Sequence, residues 1–267
     1  MSIGFPKVVV ASENSTIVYF SGRPCRQTSD QIDYTANALR VKLGEDLIDL
    51  IPSYHSLLVI YDPLKIGFQK IEQEIRGTIG RWKASNQPQQ SRIVELPVYY
   101  SPESGPDLQR IANHSGLSID QVIELHQQTE YTVYAMGFAP GFAYLGEVDE
   151  RIAMPRLATP RHNVPQGAVA IADRQTAIYP SQSPGGWNLV GLCPLGLFNA
   201  DKRPHSPMQV GDKLRFKSID RDEFIQAVKD RDFRMRIINA IFKNSVDKAN
   251  ADARAAMANA ITQEQKT

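Results

Sequence analysis

Gly167-Ala168-Val169-Ala170-Ile171-Ala172-Asp173-Arg174-Gln175-Thr176-Ala177-Ile178-Tyr179-Pro180 is the stretch on which the fold turns. It follows Val164-Pro165-Gln166, whose proline and glycine two apart suit a tight turn, and it carries apolar runs at 168–172 and 177–179 separated by a polar break. Outward from it, between Glu130 and Phe216, the same texture recurs at 131–136, 188–192 and 213–216, with Gly and Pro turns between the runs. Closely spaced short strands with turn chemistry between them predict a closed or nearly closed β-barrel rather than an open α/β sheet.

The first ninety residues have another rhythm. Residues 16–20 are a β-branched and aromatic run, a strand by composition. Ser29 and Asp30 offer N-cap chemistry to a helix with Ile32, Ala36, Leu39 and Leu43 on one face, closed by Gly44. Residues 46–51 and 57–60 read as strands around Pro52-Ser53-Tyr54-His55, and 66–82 as a helix with Phe68, Ile71, Ile75 and Ile79 at helical spacing. The order is β-α-β-β-α, and residues 92–99, with Ile93, Glu95, Pro97 and Tyr99 alternating, can close it as a fourth strand in the ferredoxin-like split βαβ order.

Lys83 to Ser91, with Asn86-Gln87-Pro88-Gln89-Gln90, buries nothing and marks a boundary. Pro106 opens a short helix, and Ser118 caps another with Asp120 in its first turn and Leu117 and Val122 placed to staple its start. The expected class is therefore α+β. A small ferredoxin-like domain spans 1–91, a β-barrel domain 92–220, and a helical C-terminal extension 221–267 with Phe224, Val228, Met235, Ile238 and Phe242 on one stripe.

Composition narrows the function classes. The chain has 267 residues, 42% hydrophobic and 22% charged, which is globular composition with room for a core. A net charge of +1 supplies no basic field for nucleic acid or an anionic membrane. No apolar run approaches the roughly 20 residues that span a bilayer. Residues 1–10 lack the pattern of a secretory signal, so a cytoplasmic protein is expected. Cys25 and Cys193 stand far apart with no Cys/His grouping, so reduced thiols and no metal site are expected.

The residues that can carry chemistry lie between Gly137 and Gly191. In Gly137-Phe138-Ala139-Pro140-Gly141-Phe142-Ala143-Tyr144-Leu145-Gly146, small residues alternate with aromatics, which suits either a rigid pocket lip or a turn whose rings fill the barrel. Pro155-Arg156 and Pro160-Arg161-His162 set cations on stiffened loops. Such arginines hold a carboxylate or phosphate, or make surface salt bridges, and His162 is an acid/base or a structural histidine. Gln175 and Tyr179, four apart, share one face of an extended segment and can converge on one ligand. Ser183-Pro184-Gly185-Gly186-Trp187 lacks the Lys and Ser/Thr of a P-loop and is no nucleophile elbow, and Ser183 has no flanking base.

Taken in order, Gly137-Phe138-Ala139-Pro140-Gly141-Phe142, Pro155-Arg156, Pro160-Arg161, Gln175-Thr176, Tyr179-Pro180 and Ser183-Pro184-Gly185-Gly186-Trp187, with Gly105-Pro106-Asp107-Leu108 upstream, resemble the family of B-type 5-oxoprolinase subunits (PxpB), also called KipI or allophanate hydrolase subunit 1. The resemblance covers about residues 8–225. It implies a cyclophilin-like barrel after a small α+β domain. It also implies a subunit that acts with A-type and C-type partners, and with ATP and its magnesium, to open 5-oxoproline to L-glutamate, with little activity alone. Phe138, Phe142 and Trp187 are then expected as walls, Gln175 and Tyr179 as hydrogen-bonding groups, and Arg156 or Arg161 as the anion partner. The catalytic residues are not indicated. The family name also implies two alternatives: an inhibitor of a sensor histidine kinase, or a carboxyltransferase-type subunit of a urea amidolyase or allophanate hydrolase system. The segment after about residue 225 exceeds the usual family length, and the chain has no nucleotide-binding motif of its own.

Overall fold

The computed structural model describes residues 4–23, 25–83 and 92–229. The chain divides into two compact units, Met1–Gln89 and Gln90–Thr267.

In the first unit the order is β1 (Lys7–Ser12), β2 (Ser15–Tyr19), α1 (Arg26–Leu43), β3 (Leu47–Pro52), β4 (Ser56–Tyr61) and α2 (Phe68–Arg81). The strands form one antiparallel sheet in the order β1-β2-β4-β3. Ile32, Ala36, Leu39 and Leu43 of α1 pack with Ile71, Ile75 and Ile79 of α2 on Val18, Leu57 and Val59, so the helical periodicities read from the sequence face one core. Each such aliphatic side chain contributes about 1.5–3 kcal/mol when fully buried.

Two expectations are corrected here. Helix α1 begins at Arg26 behind Cys25, without a side-chain cap, rather than at Ser29 or Asp30. The fourth strand of the sheet is β1 and not residues 92–99. β1 is mostly exposed or half-buried and shows no clean alternation, but it pairs with β2 along its length and so occupies the edge that a later strand would need. The ferredoxin-like order is thus not completed by the segment expected to complete it.

The second unit contains β5 (Ile93–Tyr99), α3 (Leu108–Ser115), α4 (Ile119–Gln128), β6 (Tyr131–Met136), β7 (Ala143–Gly146), β8 (Arg161–Val164), β9 (Ala168–Ala172), β10 (Gln175–Ile178), β11 (Ser183–Gly185), β12 (Asn188–Leu192), β13 (Lys213–Ile219) and α5 (Arg221–Lys229). Seven strands close a barrel in the order β10-β7-β6-β13-β5-β12-β9, while β8 and β11 form a separate two-stranded ribbon. All barrel pairs are antiparallel except β5 with β13, which run parallel over seven residues from Lys213↔Ile93 to Ile219↔Tyr99. Val94, Leu96, Val98, Val133, Leu145, Val169, Ile171, Ile178, Leu214 and Phe216 belong to one buried core.

Helix α4 starts as expected. Ser118 Oγ accepts from the Gln121 N–H, the Gln121 side chain returns to the Ser118 N–H, and Val122 is buried with Leu117 packed nearby. α4 carries His126 into the core, between Tyr100 Oη at 2.7 Å and Thr176 Oγ1 at 3.0 Å and stacked on Phe216 at 4.7 Å. Burial drives its pKa down to about 3, so it is a neutral packing group. Of the C-terminal stripe, Phe224 meets the Tyr99 ring at 5.6 Å, whereas Met235, Ile238 and Phe242 lie outside the described residues. Among the described residues no helix is long and apolar enough to cross a membrane.

Candidate functional site

Strand alternation creates a second hydrophobic layer on the outer face of the barrel. In β9, Val169 and Ile171 point into the barrel core, so Ala168, Ala170 and Ala172 point away from it; in β10 Thr176 and Ile178 point inward and Ala177 outward, followed by Tyr179. These alanines leave room for large rings. Phe142, Val164, Tyr179, Trp187 and Leu189 fill that room, with Tyr144 packed alongside.

Phe142 is the hub. Its ring lies 4.9 Å from Tyr144, 5.6 Å from Tyr179, 6.0 Å from Trp187 and 5.2 Å from Phe138, the last three edge-to-face. The turn that delivers it is closed by the Phe142 N–H donating to the Ala139 carbonyl and the Gly137 N–H donating to the Phe142 carbonyl. Gly141 sits there at φ +83°, with a Cβ position only 2.6 Å from the Leu197 carbonyl oxygen, so both the dihedral and the space demand glycine. The rings of this stretch do not fill the barrel core but pack in a separate cluster. Phe142 and Trp187 are buried, in a layer outside the barrel, while Phe138 is held at φ +73° with 67% of its surface exposed.

The two arginines have different situations. Arg161 Nη2 donates to Asp107 Oδ1 at 2.8 Å and Nη1 to the Trp187 carbonyl at 3.3 Å, while Asp107 Oδ2 accepts the Leu189 N–H at 2.6 Å. Asp107 is buried, so Arg161 is committed to a desolvated carboxylate. Arg156 is exposed, its guanidinium carbon 5.6 Å from the centre of the Trp187 ring, and it makes no ion pair among the described residues.

Of the other expected site residues, Tyr179 is buried and makes a backbone hydrogen bond with Trp187. Burial raises its hydroxyl above the ordinary phenol value, against the pull of Arg156, the Trp187 backbone and Arg161, so it is neutral and engaged within the cluster. Gln175 lies at the opposite end of β10, across from Gly146 and Ala172. His162 is exposed on β8. Ser183 Oγ is buried with no hydrogen-bond partner, so no base activates it. Ser183-Pro184-Gly185 is strand β11, paired with β8, and the Tyr179 hydroxyl fills the space where a side chain at Gly185 would go. It opens no helix and does not fit a phosphate cradle. Among the described residues no group of three or more His, Cys, Asp or Glu is placed to hold a metal. Both cysteines are free, and burial pushes the Cys193 thiol up to about 12.

Asp107 and Asn188 are the structurally decisive residues that sequence reasoning did not nominate. Asn188 is fully buried, and its amide donates to the Pro155 and Ile171 carbonyls at 3.0 Å each. The only sequence signal for Asp107 is its place in Gly105-Pro106-Asp107-Leu108, and Asn188 directly follows the Gly-Gly-Trp motif.

The family model described as "Carboxyltransferase domain, subdomain C and D" matches residues 6–208. The chain is 38% identical over 212 residues to the B-type 5-oxoprolinase subunit of Bacillus subtilis, covering 74% of this chain and 88% of that one. It is 34% identical over 209 residues to the B-type 5-oxoprolinase subunit of Haemophilus influenzae, covering 78% and 96%. Among solved structures, TTHA0988 superposes with a TM-score of 0.68 at 34% identity over 77% of this chain, which spans 40% of the TTHA0988 chain. The K. lactis urea amidolyase superposes at 0.67 over 93% of this chain and 18% of its own, at 15% identity, a likeness of fold alone. Matched along most of its length by that domain model and by these curated relatives, the chain belongs to the family of B-type 5-oxoprolinase subunits.

Proposed function

We propose that the chain is the B-type subunit of an ATP-dependent 5-oxoprolinase, a cytoplasmic complex with A-type and C-type subunits that opens 5-oxo-L-proline to L-glutamate. The relatives named as B-type 5-oxoprolinase subunits support a role in a hydrolase complex. The observation that carries the reading to a site is Arg156, an exposed cation over Trp187 with no ion pair among the described residues, joined through Trp187 and Phe142 to the exposed Phe138 ring. 5-Oxoproline is a small apolar ring bearing one carboxylate and one lactam, so a guanidinium for the carboxylate beside an aromatic surface for the ring methylenes matches its chemistry.

Ring opening adds water across the lactam C–N bond, the carbonyl carbon keeping the oxygen and the nitrogen leaving as the amine. Within this proposal the chain binds and orients the substrate and shields one side of it from water. The nucleotide and the attacking group are assigned to the partner subunits, because Ser183 has no base and β11 does not fit a phosphate. The test is to purify the complete complex and measure glutamate formed from 5-oxoproline with and without ATP and magnesium. ATP-dependent glutamate from the complex, and none from this chain alone, is expected. A complete complex that leaves 5-oxoproline intact overturns the reading.

A further inference from the structure

Trp187, Asn188 and Leu189 are consecutive, and each holds a different part of the site. Trp187 supplies the ring beneath Arg156, and the Leu189 N–H fixes Asp107 and through it Arg161. Asn188 reaches the backbone that carries Arg156. Its Nδ2 donates to the Pro155 carbonyl at 3.0 Å, the residue immediately before Arg156, and to the Ile171 carbonyl of β9 at 3.0 Å. Its Oδ1 accepts from Arg110 Nη1 at 2.7 Å. The amide orientation follows from this environment, since its nitrogen faces carbonyl oxygens and its oxygen faces a guanidinium. On the other flank the Leu157 N–H donates to the Gly186 carbonyl at 2.7 Å. Arg156 is therefore clamped on both sides by the residues that flank Trp187, and the clamp on the Pro155 side is a fully buried side-chain amide.

We infer that Asn188 is the positioning residue of the site: it holds the backbone of Arg156 so that the guanidinium rests over Trp187 as a preformed receptor for the substrate carboxylate. This rests on the reading of Arg156 given above. A bare loop would let the long Arg156 side chain sample many rotamers in solvent. Anchoring its backbone over a ring removes part of that freedom before the anion arrives, which lowers the ordering cost of binding. The buried Asn188 amide has a second consequence: a side chain there that cannot donate leaves the Pro155 and Ile171 carbonyls without that donor inside the protein.

The experiment is a double-substitution cycle in the complete complex, with Asn188→Asp and Arg156→Ala alone and together. Asn188→Asp keeps the size and the acceptor toward Arg110 but removes the amide donor. It is expected to raise KM for 5-oxoproline roughly tenfold with kcat within about twofold, and to add little once Arg156 is alanine. A second readout does not depend on activity. In a Trp82→Phe background, Trp187 emission and its quenching report the stacked guanidinium in the full-length chain, and Asn188→Asp is expected to shift them as Arg156→Ala does. If Arg156→Ala changes Trp187 emission and Asn188→Asp does not, the positioning role is overturned. It is overturned equally if the two effects on KM are additive, or if Asn188→Asp lowers kcat in proportion with KM unchanged. If Arg156→Ala leaves KM unchanged while both substitutions alter the emission alike, the positioning stands and the carboxylate reading of Arg156 falls.

Discussion

Replacing Arg156 by alanine removes an exposed cation that carries no ion pair among the described residues, so the fold loses little and the site loses its proposed anion partner. The expected result is a KM for 5-oxoproline raised about tenfold or more with a thermal midpoint within a few degrees of the parent, measured by steady-state kinetics and calorimetry. Arg161→Ala is a different experiment, because it strands the buried Asp107 carboxylate. Ser183→Ala deletes a buried hydroxyl that has no partner, and turnover within about twofold of the parent with equal or higher unfolding midpoint is expected. A loss of turnover by orders of magnitude would return Ser183 to the candidates for covalent chemistry. The motifs bring Arg156 and Arg161 forward alike, and nothing in them tells the exposed arginine from the ion-paired one. That distinction depends on Asp107, which meets Arg161 across 54 residues of sequence, a separation that local pattern cannot bridge.

At the scale of elements, the helices announced themselves and the sheet edges did not. Ile32, Ala36, Leu39 and Leu43, and the start of α4 at Ser118, were legible because helical periodicity and capping are local properties. Removing the cap by Ser118→Ala breaks the reciprocal pair with Gln121 and is expected to cost about 1 kcal/mol, read from urea unfolding. An unchanged midpoint would mean that packing of Val122 alone holds that helix end. Strand β5 is legible as a strand but its membership of the barrel is not, since alternation identifies a strand and not its neighbours. Its true neighbour, β13, lies more than a hundred residues further along. The outer aromatic layer was half legible for a related reason. Glycines and rings in Gly137–Gly146 are visible in sequence, whereas the Ala168, Ala170 and Ala172 face that receives them becomes a surface only when the barrel closes.

For the molecule as a whole, the buried His126 ties acid stability to the barrel. Its folded pKa is about 3 against an ordinary 6.5, so between these values the unfolded chain takes a proton that the native chain refuses. Stability is then fully present above pH 6.5 and lost as pH falls toward 3, by about 2 kcal/mol at pH 5 from this group. Comparing urea midpoints at pH 7 and 5 for the parent and for His126→Asn checks it, and the variant should show the shallower dependence. An identical slope would remove His126 as the cause. The barrel also sets a timetable for biosynthesis. The strand that begins the ring, Ile93–Tyr99, has its parallel mate in Lys213–Ile219, the last to be made. While a ribosome adds the intervening residues at about 5–20 per second, β5 and β6 wait with open backbone edges for on the order of ten seconds. The ring therefore closes late, when β13 enters between β5 and β6, and a nascent chain stalled before β13 offers unpaired edges to aggregation and to chaperones.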